Sequence, residues 1–287
     1  MNNYVLIAGV HKAGTTSLFT HLSRHPEINF SKVKETHYFS SHLKLPNNYY
    51  DSRASYNNYM DFFKIKSNSN NIFLEASPEY MYAGKETIYK IKKELGNQVK
   101  LIFILRNPIE QIFSQFSHKK TALKLDPSVS FDEYIRNKSL EDQKYYKHLK
   151  KWYLNFDEKN IKIIFFDNLK SDPENVFIDI CKYLNIDTKE IKEMNLSIEN
   201  KTEDFKNRTF HKIALFFNRY FEFFLRRNFI IKKFLRNIYR KVNIKKKDER
   251  IDLSIFRDLN IELDSFNSEL KKLLQSKGYS NFPEWMG

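Results

Sequence analysis

Apolar residues along this chain come in short continuous runs separated by stretches of helical period, the pattern of alternating strands and helices. Tyr4 to Ala8, Ile72 to Ala76, Val99 to Leu105 and Ile161 to Phe166 are too brief for helices and too continuous for half-exposed strands. They read as strands of a buried, mainly parallel sheet. A further strand is expected from Phe30 to Phe39, carrying Lys34 and Glu35 near its end on opposite faces. Helical periodicity runs through Leu18, Phe19 and Leu22, over Glu86 to Leu95 with Gly96 as a stop, and over Ile109 to Lys120 behind Pro108. It returns across Phe131 to Phe156 and over Glu174 to Leu184. Between them, His42 to Asn71 is rich in Asn, Ser and Tyr and reads as an insertion with one helix around Tyr56 to Lys64.

This alternation predicts an α/β fold of three layers, a central mainly parallel sheet flanked by helices. The pattern changes after Leu196. Asn195 to Asn207 is polar and loop-like, and Phe210 to Lys247 mixes Phe, Ile and Leu with paired basic residues, as one or two basic amphipathic helices do. Leu253 to Met286 reads as a final helix closed by Gly278 and a short coda. The expected organisation is an α/β domain over 1–207 and a helical basic and aromatic C-terminal extension over 208–287. That extension either packs on the domain through its long basic stems or lies on an anionic membrane surface.

The first strand leads into a turn between Gly9 and Gly14, and Thr15, Thr16 and Ser17 then open a helix. Unpaired amides and the helix dipole make such a place an anion site, to which hydroxyls and Lys12 add donors and charge. The loop is P-loop-like without being a nucleotide triphosphatase loop. That motif puts Lys directly after the second Gly, where this chain has Thr15. The nearest imitation of a Mg²⁺-holding carboxylate is Asp167, after the strand ending at Phe166. A loop of this kind neutralises its ligand with basic side chains and amides, so no metal is expected.

Composition narrows the setting. The chain has 287 residues, 41% apolar, and a formal charge of +14, with a pI near 9.5. That balance favours polyanionic substrates or anionic surfaces, although a bias toward Lys and Asn explains it equally well. One cysteine, Cys181, excludes an internal disulfide framework and a Cys-rich metal site. No apolar run approaches the ~20 residues that cross a bilayer, and no secretory segment opens the chain. A cytoplasmic protein is expected.

The segment His11 to Leu18 (HKAGTTSL), with His25-Pro26, Lys34-Glu35 and Tyr38-Phe39, resembles the amino-terminal signature of sulfotransferases. These enzymes use PAPS, the 3′-phosphorylated adenylyl sulfate, and release PAP. The KE..YF form is most similar to the carbohydrate branch, which includes the heparan sulfate sulfotransferases and many bacterial homologues. The resemblance implies that His11, Lys12, Ala13, Gly14, Thr15, Thr16 and Ser17 cradle the 5′-phosphosulfate, with Lys12 on the oxygen bridging phosphate and sulfur. Arg106-Asn107-Pro108 and Ser114 match the second signature, in which Arg and Ser hold the 3′-phosphate, a task suited to the planar guanidinium fork. His118, one turn after Ser114, is implied near the catalytic centre.

Glu35 is implied as the general base that takes the acceptor's proton, with Lys34 and Glu35 both as acceptor contacts. Glu75 and Ser77, at a strand's carboxyl end before Pro78, are a second candidate base and acceptor contacts; Ser77-Pro78 also suits a plain helix cap. A basic residue closes over the donor in the family; Lys201, Lys206 and Arg208 are candidates, without the usual Lys-Gly-Arg pattern. Asp172-Pro173 after the strand from Ile161 also resembles the family. The implied acceptor is a hydroxyl or amine of a saccharide or glycolipid, with peripheral contact at the inner membrane face through 210–247 and no nucleic-acid partner. Two rivals remain: a phosphotransferase using ATP and Mg²⁺, and a non-catalytic basic module for membrane or nucleic acid.

Overall fold

The protein is described by a computed structural model that covers residues 3–40, 59–66, 71–122, 124–126, 128–192, 204–221, 235, 238–239, 242–245 and 253–287. Two units emerge, each discontinuous in sequence. The first comprises Met1–Gln111, Ser139–Asn200 and Arg257–Gly287; the second comprises Ile112–Lys138 and Lys201–Phe256. Residues 257–287, which the sequence groups with the extension, thus fold into the first unit.

The first unit is built on strands β1 (Asn3–Gly9), β2 (Ile28–Ser31), β3 (Phe63–Lys64), β4 (Ile72–Ala76), β5 (Lys100–Leu105) and β6 (Ile161–Phe165), in the order β3-β2-β4-β1-β5-β6. Only the β2–β3 pair is antiparallel. β4 is buried along its whole length, β1 from Val5 and β5 from Leu101 onward, as a sheet covered on both faces requires. Helices α1 (Thr15–Leu22) and α2 (Lys85–Leu95) lie in crossovers that step in opposite directions along the sheet. Right-handed crossovers therefore put them on opposite faces.

Further helices among the described residues are α3 (Pro108–Thr121), α4 (Phe131–Arg136), α5 (Tyr145–Tyr153), α6 (Phe166–Ser171), α7 (Pro173–Leu184), α8 (Lys189–Lys192), α9 (Arg208–Tyr220) and α10 (Leu253–Gln275). His21 of α1 meets Phe177 of α7 edge-on at 5.4 Å. On α5, Trp152 is fully buried against Phe103 at 5.5 Å and donates its indole N–H to the Met81 carbonyl. Leu270 and Leu274 of α10 join the same core, and Tyr279 accepts the amide of Ile163 through its hydroxyl at 2.9 Å. Cys181 is buried on α7, and burial pushes its thiol up to about 12.

Because β1, β4 and β5 are parallel, their carboxyl ends emerge together. Ser77 N donates to Ile7 O and Val10 N to Ile104 O, which ties the three exits to one another. The strand order reverses direction at β1, so the ligand crevice of this sheet type opens there.

Three sequence expectations need correction. The second strand ends at Ser31, and residues 32–40 form a loop with Glu35 at φ 64° and His37 at φ 52°, conformations a strand cannot hold. Of the helix expected around Tyr56 to Lys64, the described part is a single 3-10 turn, Tyr59–Phe62, followed by β3, whose Phe63 pairs with Ser31. Most of 42–71 otherwise lies outside the described residues. The helix over Phe131 to Phe156 is two helices, α4 and α5, because Asn137 caps the first by donating from its side chain to Glu133 O at 3.2 Å. In the second unit, β7 (Asp204–Phe205) pairs antiparallel with β8 (Ile244–Lys245). The expected basic helices across 210–247 are described only in part, as α9 and a few later residues.

Candidate functional site

The glycine-bracketed loop after β1 depends on both glycines. A Cβ on Gly9 would lie 2.6 Å from Met81 Cβ, so only glycine lets the strand end against the turn after β4. Gly14 is left-handed at φ 88°, and a Cβ there would press on Leu169 at 3.1 Å. Gly14 is also the N-cap of α1, and no side chain caps that helix. Its first turn contains Thr15, Thr16 and Ser17, whose amides carry the positive end of the dipole.

Lys12 sits at the loop's apex in a left-handed conformation, φ 64°. Burial, then the neighbouring Arg106 charge, lower its pKa to about 8. Burial and a neighbouring cation both disfavour the charged form, with Glu35 pulling the other way, and an anion bound at the loop would favour it. Arg106 reaches back from the end of β5: its Nη1 donates to Lys12 O at 2.9 Å, and Nη2 pairs with Glu110 at 3.1 Å. Its guanidinium also lies 4.7 Å over the Phe166 ring. Gln111, one residue beyond, donates from Nε2 to His11 O at 2.9 Å. Sequence reasoning did not select Gln111; the available signal was a polar residue among the buried positions Ile109, Ile112 and Phe116.

The loop after β2 brings a carboxylate to the same region. Glu35 N donates to Ala76 O at 2.9 Å, fastening the loop to the end of β4. Lys34 Nζ lies 2.5 Å from Glu35 Oε1. Burial alone would raise the Glu35 pKa, but Lys34, helped by His11 and His37, outweighs it and holds the group below the usual carboxylate range. Glu35 is therefore ionised at neutral pH, as a base must be. Lys12 feels both Glu35 and Lys34, and His11 feels Glu79, Glu35, Lys34 and His37. Burial lowers the His11 pKa, and its ring stacks on Tyr82 at 6.0 Å.

Glu75 and Ser77 do not face this crevice as expected. Glu75 is completely buried and accepts from Thr36 Oγ1 (2.9 Å), Ser77 Oγ (2.8 Å) and Tyr59 OH (2.7 Å). Ser77 is equally buried. The strand's carboxyl end turns inward here, so the pair tethers the Glu35 loop rather than touching a ligand. Burial raises the Glu75 pKa against the pull of its hydroxyl donors. The partner that sequence reasoning missed is Glu79, which hydrogen-bonds His37 Nδ1 and accepts from Ser40 Oγ at 3.1 Å. On its other side, His37 Nε2 lies 3.9 Å from Glu35 Oε2.

His25 of the His25-Pro26 pair is structural. Its Nδ1 accepts from Glu27 N, which leaves Nε2 to donate to Asp187 O at 2.8 Å, pinning the exit of α1 to the end of α7. Ser114 and His118 belong to the second unit, one turn apart on α3, with Ser114 buried and His118 exposed. Lys206 is exposed there, its amide donating to Asn243 O at 2.7 Å. Arg208 begins α9, and Lys201 lies outside the described residues. Among the described residues no group of three or more His, Cys, Asp or Glu is placed to hold a metal ion.

Residues 2–214 match the model of the sulfotransferase domain. The chain is similar to the human bifunctional heparan sulfate N-deacetylase/N-sulfotransferase 3, 28% identical over 198 residues, covering 63% of this chain and 22% of that protein. It is also similar to the Drosophila melanogaster bifunctional heparan sulfate N-deacetylase/N-sulfotransferase, 27% identical over 207 residues, covering 63% of this chain and 19% of that protein. The chain thus matches about a fifth of the length of these relatives. Among solved structures it is similar to a sulfotransferase from Alicyclobacillus acidocaldarius, with a TM-score of 0.56 and 23% identity over 70% of this chain and 87% of that one. That likeness concerns the fold.

Proposed function

This chain belongs to the sulfotransferase family, and from that premise we propose that it moves a sulfuryl group from PAPS to a hydroxyl or amine of a saccharide. One observation carries the reading: Lys12 lies in the loop that leaves β1, and Glu35 N is fastened at 2.9 Å to Ala76 O at the carboxyl end of β4, the strand paired with β1. A cation for the donor and an ionised carboxylate for the acceptor are the two charges such a transfer needs. PAPS, when bound, supplies the sulfuryl group and a bisphosphate that leaves with the electrons of the broken S–O bond. Lys12 and the amides at the start of α1 hold negative charge at the loop. Glu35 accepts the acceptor's proton on its carboxylate, while Lys34 keeps that carboxylate ionised beforehand.

Calorimetry without Mg²⁺ tests the donor half, comparing PAP with ATP. Tight metal-independent binding of PAP supports it, and preference for ATP with Mg²⁺ returns the chain to the phosphotransferases. For the acceptor, radiolabelled sulfate transfer from PAPS to a non-sulfated glucosamine-containing polysaccharide is compared with transfer to a simple phenol. Labelling of the phenol alone removes the saccharide.

A second observation favours a membrane-borne acceptor at the inner face of the membrane. On α9, Phe210, Ile213, Phe216, Phe217 and Tyr220 are all exposed, Tyr220 to 76%. Thirteen Lys and Arg residues and a single acidic one, Glu222, fall between Arg208 and Lys247. Exposed aromatics at helical spacing within a basic segment suit the headgroup layer of anionic lipid. Among the described residues no helix is long and apolar enough to cross a membrane. Cosedimentation with phosphatidylglycerol vesicles but not phosphatidylcholine vesicles is the expected result. Binding that survives replacement of the α9 aromatics by Ser removes this reading.

A further inference from the structure

The anion loop works only if its amides face the ligand, and its own sequence does not secure that. The peptide bonds from His11 to Ala13 are trans, so each carbonyl points away from the N–H of the same peptide plane. Whatever holds a carbonyl therefore aims the following amide. Lys12 O is held by Arg106, as described, and the adjacent His11 O is held by Gln111. With Lys12 left-handed, two successive amides fall into the nest arrangement that receives anions.

Gln111 is fixed in turn. Its Nε2 also contacts the Tyr82 hydroxyl at 3.2 Å, and its Oε1 accepts from Gln143 Nε2 at 2.8 Å. Both glutamines are completely buried. The order of donors settles which end of the Gln111 amide faces the loop: a carbonyl facing His11 O would set two acceptors against each other. Tyr82 also stacks on the His11 ring, so the same neighbour steadies that residue twice. A buried amide chain from α5's approach to the loop has no role in core packing that an apolar side chain would not fill better.

We infer that Gln111, oriented by Gln143, is a positioning residue for the anion loop: it holds the His11 carbonyl so that the Lys12 amide faces the donor's 5′-phosphate. The inference rests on the sulfotransferase reading and extends it to two residues to which the resemblance assigns no role. Its consequence is selective. Loss of Gln111's donor weakens ligands that carry a 5′-phosphate and spares those that carry only a 3′-phosphate.

The test is calorimetry on the full chain with adenosine 3′,5′-bisphosphate and with adenosine 3′-monophosphate. Gln111→Met, near in volume, and Gln143→Leu are each expected to weaken the bisphosphate by about tenfold, the scale of one hydrogen bond, and to leave the monophosphate unchanged. Gln111→Glu, which puts an acceptor and a charge against His11 O, is expected to weaken it further. Thermal melts accompany each variant, and the Lys12 amide shift in ¹⁵N spectra on adding bisphosphate gives a second readout, smaller in the variants. Equal weakening of both nucleotides, or of neither, overturns the inference while leaving the donor reading intact. If the unaltered protein does not bind the bisphosphate, the donor reading fails and takes the inference with it.

Discussion

Lys34 and Glu35 are neighbours in sequence, yet Lys34 Nζ lies 2.5 Å from Glu35 Oε1. On a strand the two side chains would leave opposite faces. The left-handed turn at Glu35 swings them together, and the lysine then decides the carboxylate's ionisation.

A prediction follows for Lys34→Met. With the lysine charge gone, burial acts on Glu35 with less opposition and its pKa rises. A base with a higher pKa is protonated at higher pH, so the acid limb of the kcat/KM profile moves up, by roughly one pH unit. An unmoved acid limb would show that Glu35 is not the group titrating there.

Lys12 gives the opposite limb. Its pKa of about 8 in the free protein means that half its charge is lost there. PAP binds the charged form, and its phosphates are already ionised above about pH 7. Binding above pH 8 must therefore take up a proton, and the Kd rises as pH increases from 7 to 9. Lys12→Arg stays charged and flattens that dependence, whereas Lys12→Ala weakens binding throughout. A Kd for the unaltered protein that is constant over this range sinks the assignment.

The sheet and the loop were legible in sequence because they are written locally. Continuous apolar runs mark buried parallel strands, and Gly9, Gly14 and the Thr15-Thr16-Ser17 run mark a strand–loop–helix turn. The Glu35 loop was not legible in the same way. Lys34 and Glu35 follow apolar residues that continue a strand-like pattern, and what shapes the loop beyond Ser31 is a left-handed backbone supported from far away, by Ala76 O and by Glu75 through Thr36. Glu75 misled for a related reason. Polar residues at strand ends usually meet ligand, but here the hydroxyls of Thr36, Tyr59, Ser77 and Tyr80 enclose one. Long-range satisfaction of a buried polar group leaves no local trace.

That enclosure separates the two glutamates experimentally. Glu75→Ala leaves the hydroxyls of Thr36, Ser77, Tyr59 and Tyr80 without their shared acceptor, which costs about 3 kcal/mol of stability. Urea denaturation should show this as a lower midpoint. Glu35→Gln disturbs a partly exposed ion pair and should leave the midpoint within about 0.5 kcal/mol of the original. Its effect falls on kcat, which drops by roughly two to four orders of magnitude if it is the base. Unchanged stability in Glu75→Ala would mean that Glu75 is not the tether of the Glu35 loop.

Arg106 is expected from the family resemblance to hold the 3′-phosphate, but in this structure it also pins Lys12 O and lies on Phe166. The two duties predict different losses. Lysine in its place cannot donate to Lys12 O, pair with Glu110 and cover the Phe166 ring together, because it lacks the planar fork. Arg106→Lys should therefore weaken adenosine 5′-monophosphate by about tenfold through the loop alone. Adenosine 3′,5′-bisphosphate should lose that and a further factor of about ten if the guanidinium also grips the 3′-phosphate. Equal losses for the two nucleotides confine Arg106 to the loop. A monophosphate affinity that does not change removes the pinning role and leaves only the 3′-phosphate contact.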